Sequence, residues 1–216
     1  MGRLILDMSM SLDGYVAGPE QTLEAPLGRG GEQLHEWAFA ALSWRERHGL
    51  EGGERTVDSD IADETISRAG ATIMGRHMFS GGQGPWEDDP RARGWWGDDP
   101  PFHHPVFVLT NHAREPLEME GGTTFTFVTD GIGSALDQAH AAAGDRDVQI
   151  GGGGDVAQQY IRAGLVDEIN VHVAPLFLGD GVRLFDGLVD RPAGLHCARV
   201  LESPTGVVHL RYRPAV

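Results

Sequence analysis

Val148-Gln149-Ile150-Gly151-Gly152-Gly153-Gly154-Asp155-Val156 is the stretch on which the reading of this chain turns. A short apolar strand meets four glycines, and Ala157-Gln158-Gln159-Tyr160-Ile161-Arg162-Ala163 continues as a helix. Glycines at a strand-to-helix junction let the backbone approach a ligand and leave N–H groups free to point at it. The start of the helix adds roughly half a positive charge. Together these favour a bound diphosphate over a strained turn that binds nothing.

Gly152-x-Gly154-x-x-Ala157 formally fits the Rossmann fingerprint, but its surroundings do not. That fingerprint expects a second strand ending in an acidic residue about 20 residues on. Here Asp167 and Glu168 come sooner and precede the next strand, residues 169–174. The chain beyond reads as hairpins rather than further βαβ units. A different fold is using the same physics.

Composition narrows the class. With 216 residues, 40% hydrophobic and 23% charged, the chain is long enough for one domain over residues 1–216 with a substantial core. Its net charge of −15, from 17 Lys+Arg against 32 Asp+Glu, repels phosphate backbones and argues against nucleic acid. No apolar run approaches the roughly 18 residues of a membrane span, and a strand begins almost at the first residue, so a cytoplasmic location without a signal peptide is expected. The single cysteine, Cys197, lies in an expected strand and reads as buried packing. His103 and His104 are adjacent while His35, His48, His140 and His209 are scattered, so no metal spacing is present. A small-molecule substrate is the expected partner, and a homodimer stays open.

The rest follows from periodicity and turn chemistry. Residues 3–9 form a strand, and Ser11-Leu12-Asp13-Gly14-Tyr15-Val16-Ala17-Gly18-Pro19 a compact loop. Leu34, Trp37, Ala38, Ala41 and Leu42 give one apolar face to a helix over residues 32–49. Asp58 or Ser59 caps a second helix that Gly70 ends, followed by a strand at 71–74 and a short helix after Gly75. Residues 80–104 are irregular and carry Trp86, Trp95 and Trp96, read equally as anchors to the core or as substrate contacts. Strands at 105–109 and 124–129 flank Thr110-Asn111, and Asp130 caps a helix. After the glycine run come strands at 165–174 and 182–185 and a final hairpin, 195–202 with 207–212. Strand and helix alternate and then give way to strands. This predicts a mostly parallel sheet with flanking helices and antiparallel C-terminal strands. Ligands of such sheets sit at the carboxyl ends of the strands. The Asp13-Gly14 loop, Gly75-Arg76, Thr110-Asn111 and the glycine run all fall there.

Four motifs now carry a resemblance. They are Ser11-Leu12-Asp13-Gly14-Tyr15-Val16-Ala17; Ile73-Met74-Gly75-Arg76; Ile150-Gly151-Gly152-Gly153; and Gly164-Leu165-Val166-Asp167-Glu168 running into Pro175-Leu176-Phe177-Leu178-Gly179-Asp180-Gly181 and Leu184-Phe185. In this order the chain resembles the dihydrofolate reductase-like family, and most closely the reductase domain of the bifunctional riboflavin-biosynthesis deaminase/reductase. The resemblance runs from Arg3 to Tyr212. It implies the three-layer α/β fold of that family and NADPH as cofactor. It implies that Gly75 and Arg76, with His77 and Met78 beside them, meet the 2′-phosphate side. Thr110 and Asn111 would lie near the adenosine phosphate. Ile150, Gly151, Gly152, Gly153 and Gly154, with Asp155 and Val156, would hold the diphosphate, and Val16 and Ala17 would border the nicotinamide ribose. An arginine fork suits a phosphate monoester, though a salt bridge within this acidic protein competes for Arg76.

The chain departs from the family at the pterin site. A dihydrofolate reductase carries a carboxylate early on its first helix. Pro26-Leu27-Gly28-Arg29-Gly30-Gly31 offers none at that spacing, and Glu32 and Glu36 are the nearest. The deaminase zinc signature is missing too. The expected activity is therefore NADPH-dependent reduction of a small heterocyclic, carbonyl or imine compound of the ribosylamino-pyrimidine type. A non-catalytic ligand-binding protein, a drug-modifying oxidoreductase and a dihydrofolate reductase with an unusual acid are the alternatives. Glu36, His172 and Asp13 are the candidate proton donors. Against them stand a solvated helix face for Glu36, a buried hydrogen-bonded histidine for His172 and a turn residue for Asp13.

Overall fold

The computed structural model describes residues 1–82, 84–188 and 194–215. Its first strand, β1 (Leu4–Ser11), alternates: Leu4 and Leu6 enter the main core, while Asp7 and Ser9 face the other way. β2 (Tyr15–Ala17) follows the Asp13-Gly14 turn.

The helix expected over 32–49 is broken into a 3₁₀ turn (Gly31–His35), α1 (Glu36–Ala40) and α2 (Leu42–Arg47). The apolar face holds, with Leu34 and Trp37 buried. Continuity fails at Ala41, which is extended and bridges to Glu54, while Leu42 N–H donates to the Glu54 carbonyl at 3.0 Å. A long-range backbone pairing outcompetes the next helical turn there.

α3 (Val57–Arg68) is capped by Thr56, whose hydroxyl accepts from Asp58 N–H, rather than by Asp58 or Ser59. Both of those residues are buried and bonded elsewhere. Nor does Gly70 end this helix: it lies inside β3 (Ala69–Gly75). A Cβ there would come within 3.0 Å of Ala143 and Arg146, so glycine admits the end of a later helix.

α4 (Arg76–Ser80), β4 (Pro105–Leu109), the missed short β5 (Leu117–Glu118) and β6 (Thr124–Val128) follow. Asp130 precedes α5 (Gly131–Ala143), but its side chain makes no capping bond. β7 (Asp147–Gly152) and α6 (Gly154–Arg162) flank Gly153. β8 (Glu168–Ala174), β9 (Val182–Arg183), β10 (Leu195–Glu202) and β11 (Val208–Pro214) complete the elements.

The main sheet runs β10-β11-β8-β1-β7-β3-β4-β6-β5. From β8 to β6 every pair is parallel, and β11, β10 and β5 pair antiparallel. β2 and β9 form a separate two-stranded ribbon. Alternation along the strands makes two layers of core. Leu4, Leu6, Ile73, Val148 and Ile150 pack with Ala135 and Ala139 of α5 and Tyr160 of α6. Met74, Val106, Val108, Phe125 and Phe127 face the other side, where Trp86, Trp96 and Phe102 cover them. The described part of the irregular stretch thus takes the place of a helix, with Trp86 and Trp96 as anchors. Cys197 is exposed rather than buried, because β10 is the sheet's open edge.

Candidate nucleotide-binding and active site

The neighbouring strands β1, β7, β3 and β4 bring their carboxyl ends side by side, and with them the Asp13 loop, the glycine run, Gly75-Arg76 and Thr110. Contacts at the centre are close. A Cβ on Gly75 would stand 3.0 Å from Val156, one on Gly154 3.3 Å from Val16, and one on Gly152 2.8 Å from Met78 Sδ. Ile150 is buried beneath them in the core, and Ala17 is buried beside Val16. Gly153 differs from its neighbours: a Cβ on it would meet no atom of the described residues within 4 Å, and its φ of −77° suits any residue. The bare backbone of Gly153 therefore faces open space at the start of α6, as a cradle for an anionic ligand requires. Asp155 is exposed on the first turn of α6. Thr110 Oγ1 accepts from His112 N–H at 3.2 Å, and Asn111 is exposed beside it.

Arg76 is not a free fork. It is buried, with Nε donating to Ser80 Oγ at 3.0 Å and Nη2 to Asp89 at 2.5 Å, and its guanidinium lies 3.2 Å from the Trp86 ring centre. Burial works to raise the Asp89 carboxyl, but hydrogen bonds from Ser80 and Arg76 outweigh it and hold the group below its ordinary range. Nη1 of Arg76 is buried without a hydrogen-bond partner among the described residues, and so are both ring nitrogens of His77. A dinucleotide phosphate would give Arg76 Nη1 an acceptor. The cradle and this orphaned donor both fit the cofactor that the resemblance implies.

The three candidate donors fare differently. Glu36 is exposed at the start of α1, and its neighbour Trp37 is the residue turned inward. Asp13 is committed to loop structure: its oxygens accept from Ser11 Oγ at 2.6 Å, Gly179 N–H at 2.8 Å and Leu178 N–H at 3.1 Å. Those bonds overcome the upward push of burial and keep its carboxyl low. His172 is buried on β8 and sits in a chain of four ionisable groups. Its Nε2 faces Asp7 Oδ1 at 3.2 Å, and its Nδ1 meets His209 Nδ1 at 2.8 Å. His209 Nε2 in turn faces Asp58 Oδ1 at 2.8 Å. Trp37 closes over both imidazoles, with ring centres 4.7 and 5.0 Å away, and donates to Ser9 Oγ. Asp7, Asp58 and His209 escaped the sequence. The one signal was an aspartate within the apolar run Leu4-Ile5-Leu6-Asp7-Met8.

A second buried carboxylate, Glu168, is fully enclosed and bonds Arg68 at 2.8 Å and Arg213 at 2.9 Å, with Arg3 and Arg211 within 3.4 Å. It lies at the amino end of β8, away from the glycine cradle, and is structural.

Two further histidines make stability depend on pH. Burial, then the charge of His172, pushes His35 down to about 4; burial, then Arg146 and His103, does the same to His104. Both have folded values below the unfolded one near 6.5, so the unfolded chain binds more protons between those limits. Stability should therefore fall as pH drops from about 6.5 to 4, by roughly 1–2 kcal/mol once partial exposure is allowed for. Urea midpoints at pH 7, 5 and 4 check this; a midpoint unchanged between pH 7 and pH 5 contradicts it.

The parallel sheet, its antiparallel C-terminal strands and the glycine junction define a dihydrofolate reductase-like α/β protein. The chain matches the RibD C-terminal domain over residues 3–209 and belongs to that family. Among solved structures it is similar to a Shewanella sp. PV-4 protein provisionally assigned to riboflavin biosynthesis, at 20% identity, TM-score 0.62 and 99% coverage of both chains. It is similar as well to Acinetobacter baumannii RibD, at 18% identity and TM-score 0.57. The Thermotoga maritima diaminohydroxyphosphoribosylaminopyrimidine deaminase/5-amino-6-(5-phosphoribosylamino)uracil reductase matches at 13% and 0.57. The chain, itself covered to 100% and 99%, spans 58% and 57% of those last two. No curated protein matches it. Among the described residues there is no cluster of metal-binding side chains, and no helix is long and apolar enough to cross a membrane.

Proposed function

We propose that this protein is an NADPH-dependent reductase of a small heterocyclic, carbonyl or imine compound, of the riboflavin-biosynthesis type. The observation that carries the proposal is the open backbone cradle at Gly153, flanked by Gly75, Val16 and the start of α6. The RibD C-terminal domain match over residues 3–209 supports the same reading. When bound, the reduced nicotinamide supplies the hydride. The chain's own part is to hold the diphosphate on Gly151–Gly154, keep Val16 and Ala17 beside the ribose, and deliver a proton. A binding protein without turnover is the competing reading, and steady-state NADPH consumption with ribosylamino-pyrimidines and simple imines separates the two.

Cofactor choice follows from Arg76. A charge-assisted contact to the 2′-phosphate is worth roughly 1.5–3 kcal/mol, so NADPH should bind about tenfold or more tightly than NADH. The wild-type comparison is the clean test, because Arg76→Ala would also leave Asp89 buried and unpaired. Equal affinities would remove Arg76 from the cofactor site.

Dihydrofolate should be a poor substrate. Glu36 is exposed, and the inward position beside it is Trp37, so no carboxylate of this helix stands ready to bind and polarise a pterin. Losing that pair costs about 1.5–3 kcal/mol in binding, before any loss of acid catalysis of roughly a hundredfold or more. An assay with NADPH and dihydrofolate decides; turnover near the general enzyme median of about 10 s⁻¹ would overturn the expectation.

A further inference from the structure

The four-residue chain Asp7–His172–His209–Asp58 poses a counting problem. Carboxylates accept, so each Nε2 facing one must carry a proton. The contact between the two Nδ1 atoms needs a proton as well. Three hydrogen bonds therefore require three protons, whereas two neutral imidazoles hold only two. The third is assigned to an imidazole, because each carboxylate accepts from further donors that favour its charged form. Asp7 also accepts from Thr65 Oγ1 at 3.1 Å and Asn170 Nδ2 at 3.2 Å. Asp58 also accepts from Ser203 Oγ at 2.6 Å and Thr56 Oγ1 at 3.3 Å.

We propose that Asp7, His172, His209 and Asp58 form a proton reserve, holding one imidazolium at neutral pH and releasing its proton through Asp7 to the reductive step. The release half rests on the reductase reading; the charge state does not. The register places Asp7 one residue past the Leu6–Ile150 pair, on the strand beside the one that leads into the glycine run. It lines two narrow clefts, each with room for about one water: one runs past Thr65 to Arg68 and Asp147, the other past Thr65 and Asn170 to His172 and His209. On release, His172 Nε2 gives its proton to Asp7, which passes it to the acceptor that takes the hydride. The four groups then go from one net negative charge to two, and a proton from water restores them. The charged groups facing the imidazoles are Asp7 from β1, Asp58 from α3, His35 from the 3₁₀ turn, Arg199 from β10 and Arg211 from β11, the last two paired with Glu64 of α3. Burial, then the charge of His172, lowers His209.

Asp58→Asn tests this with little change of shape. Its amide can donate to His209 Nε2, after which two neutral imidazoles satisfy all three contacts. Nitrogen-15 NMR of the histidine rings at pH 7.5 should count three N–H protons on His172 and His209 in the wild type and two in Asp58→Asn. Two in the wild type, or three in both, would overturn the reserve whatever the protein's activity. With NADPH and a ribosylamino-pyrimidine or simple imine as substrate, Asp58→Asn should lower kcat about tenfold at neutral pH, leave KM unchanged and recover towards lower pH. An unchanged kcat and pH profile would refute the release step while the NMR count stands. A wild type that turns over nothing would refute the reductase reading, and the release step with it.

Discussion

Gly153→Val is expected to abolish NADPH binding in a protein that still folds. The four glycines are not equivalent. Gly152 has a φ of +138°, and a side chain there would run into Met78; one on Gly154 would come within 2.6 Å of Val182. Substitution at either perturbs packing, so lost binding would say little about a ligand. At Gly153 the conformation is extended and the space is open. A β-branched side chain placed there projects from the backbone that would approach a diphosphate. Affinity should fall by about a hundredfold or more, the loss of roughly 3 kcal/mol, with Gly153→Ala between the two. Fluorescence titration and a thermal melt on the same sample check it. Retained affinity in a folded Gly153→Val protein would remove the cradle from the cofactor site, and with it the main support for a reductase.

The largest stability effect should come from Glu168→Gln. This carboxylate is fully buried and is the shared partner of Arg3, Arg68, Arg211 and Arg213. Burial works to raise it, but the bonds from Arg68 and Arg213 prevail and hold it in the charged form. Removing one member of a buried ion pair costs about 3–5 kcal/mol. The arginines keep some contact with water, which favours the lower end, about 3 kcal/mol and a fall in Tm of roughly 6–12 °C for a chain this size. Arg213→Ala is the control: that side chain is 42% exposed, and its loss should cost under about 1 kcal/mol. Equal losses in the two variants would show that Glu168 does not organise the cluster.

Much of the architecture was legible because it rests on local chemistry. The glycine run, the Asp13-Gly14 turn and the apolar strands β1, β3 and β7 depend on residues next to one another in sequence. Helix continuity was not, since the break at Ala41 comes from pairing with Glu54, thirteen residues on. The cap of α3 was misplaced by two residues because Asp58, a good capping residue, is drawn inward by His209 and Ser203.

At the site the division is sharper. By itself the sequence determined the strand–glycine–helix junction and the order of the motifs around it, which follow from residue type and spacing; the want of a pterin carboxylate on the first helix came from comparison with the family it resembles. Only the tertiary structure decided that Arg76 is tied to Asp89, that Asp13 staples a loop, and that His172 belongs to a chain with Asp7, His209 and Asp58. Those partners lie 13 to 166 residues away in sequence. The hydrogen-bond capacity of a side chain is written in its chemistry, but which partner satisfies it depends on strand order and register, and these are settled when the sheet assembles.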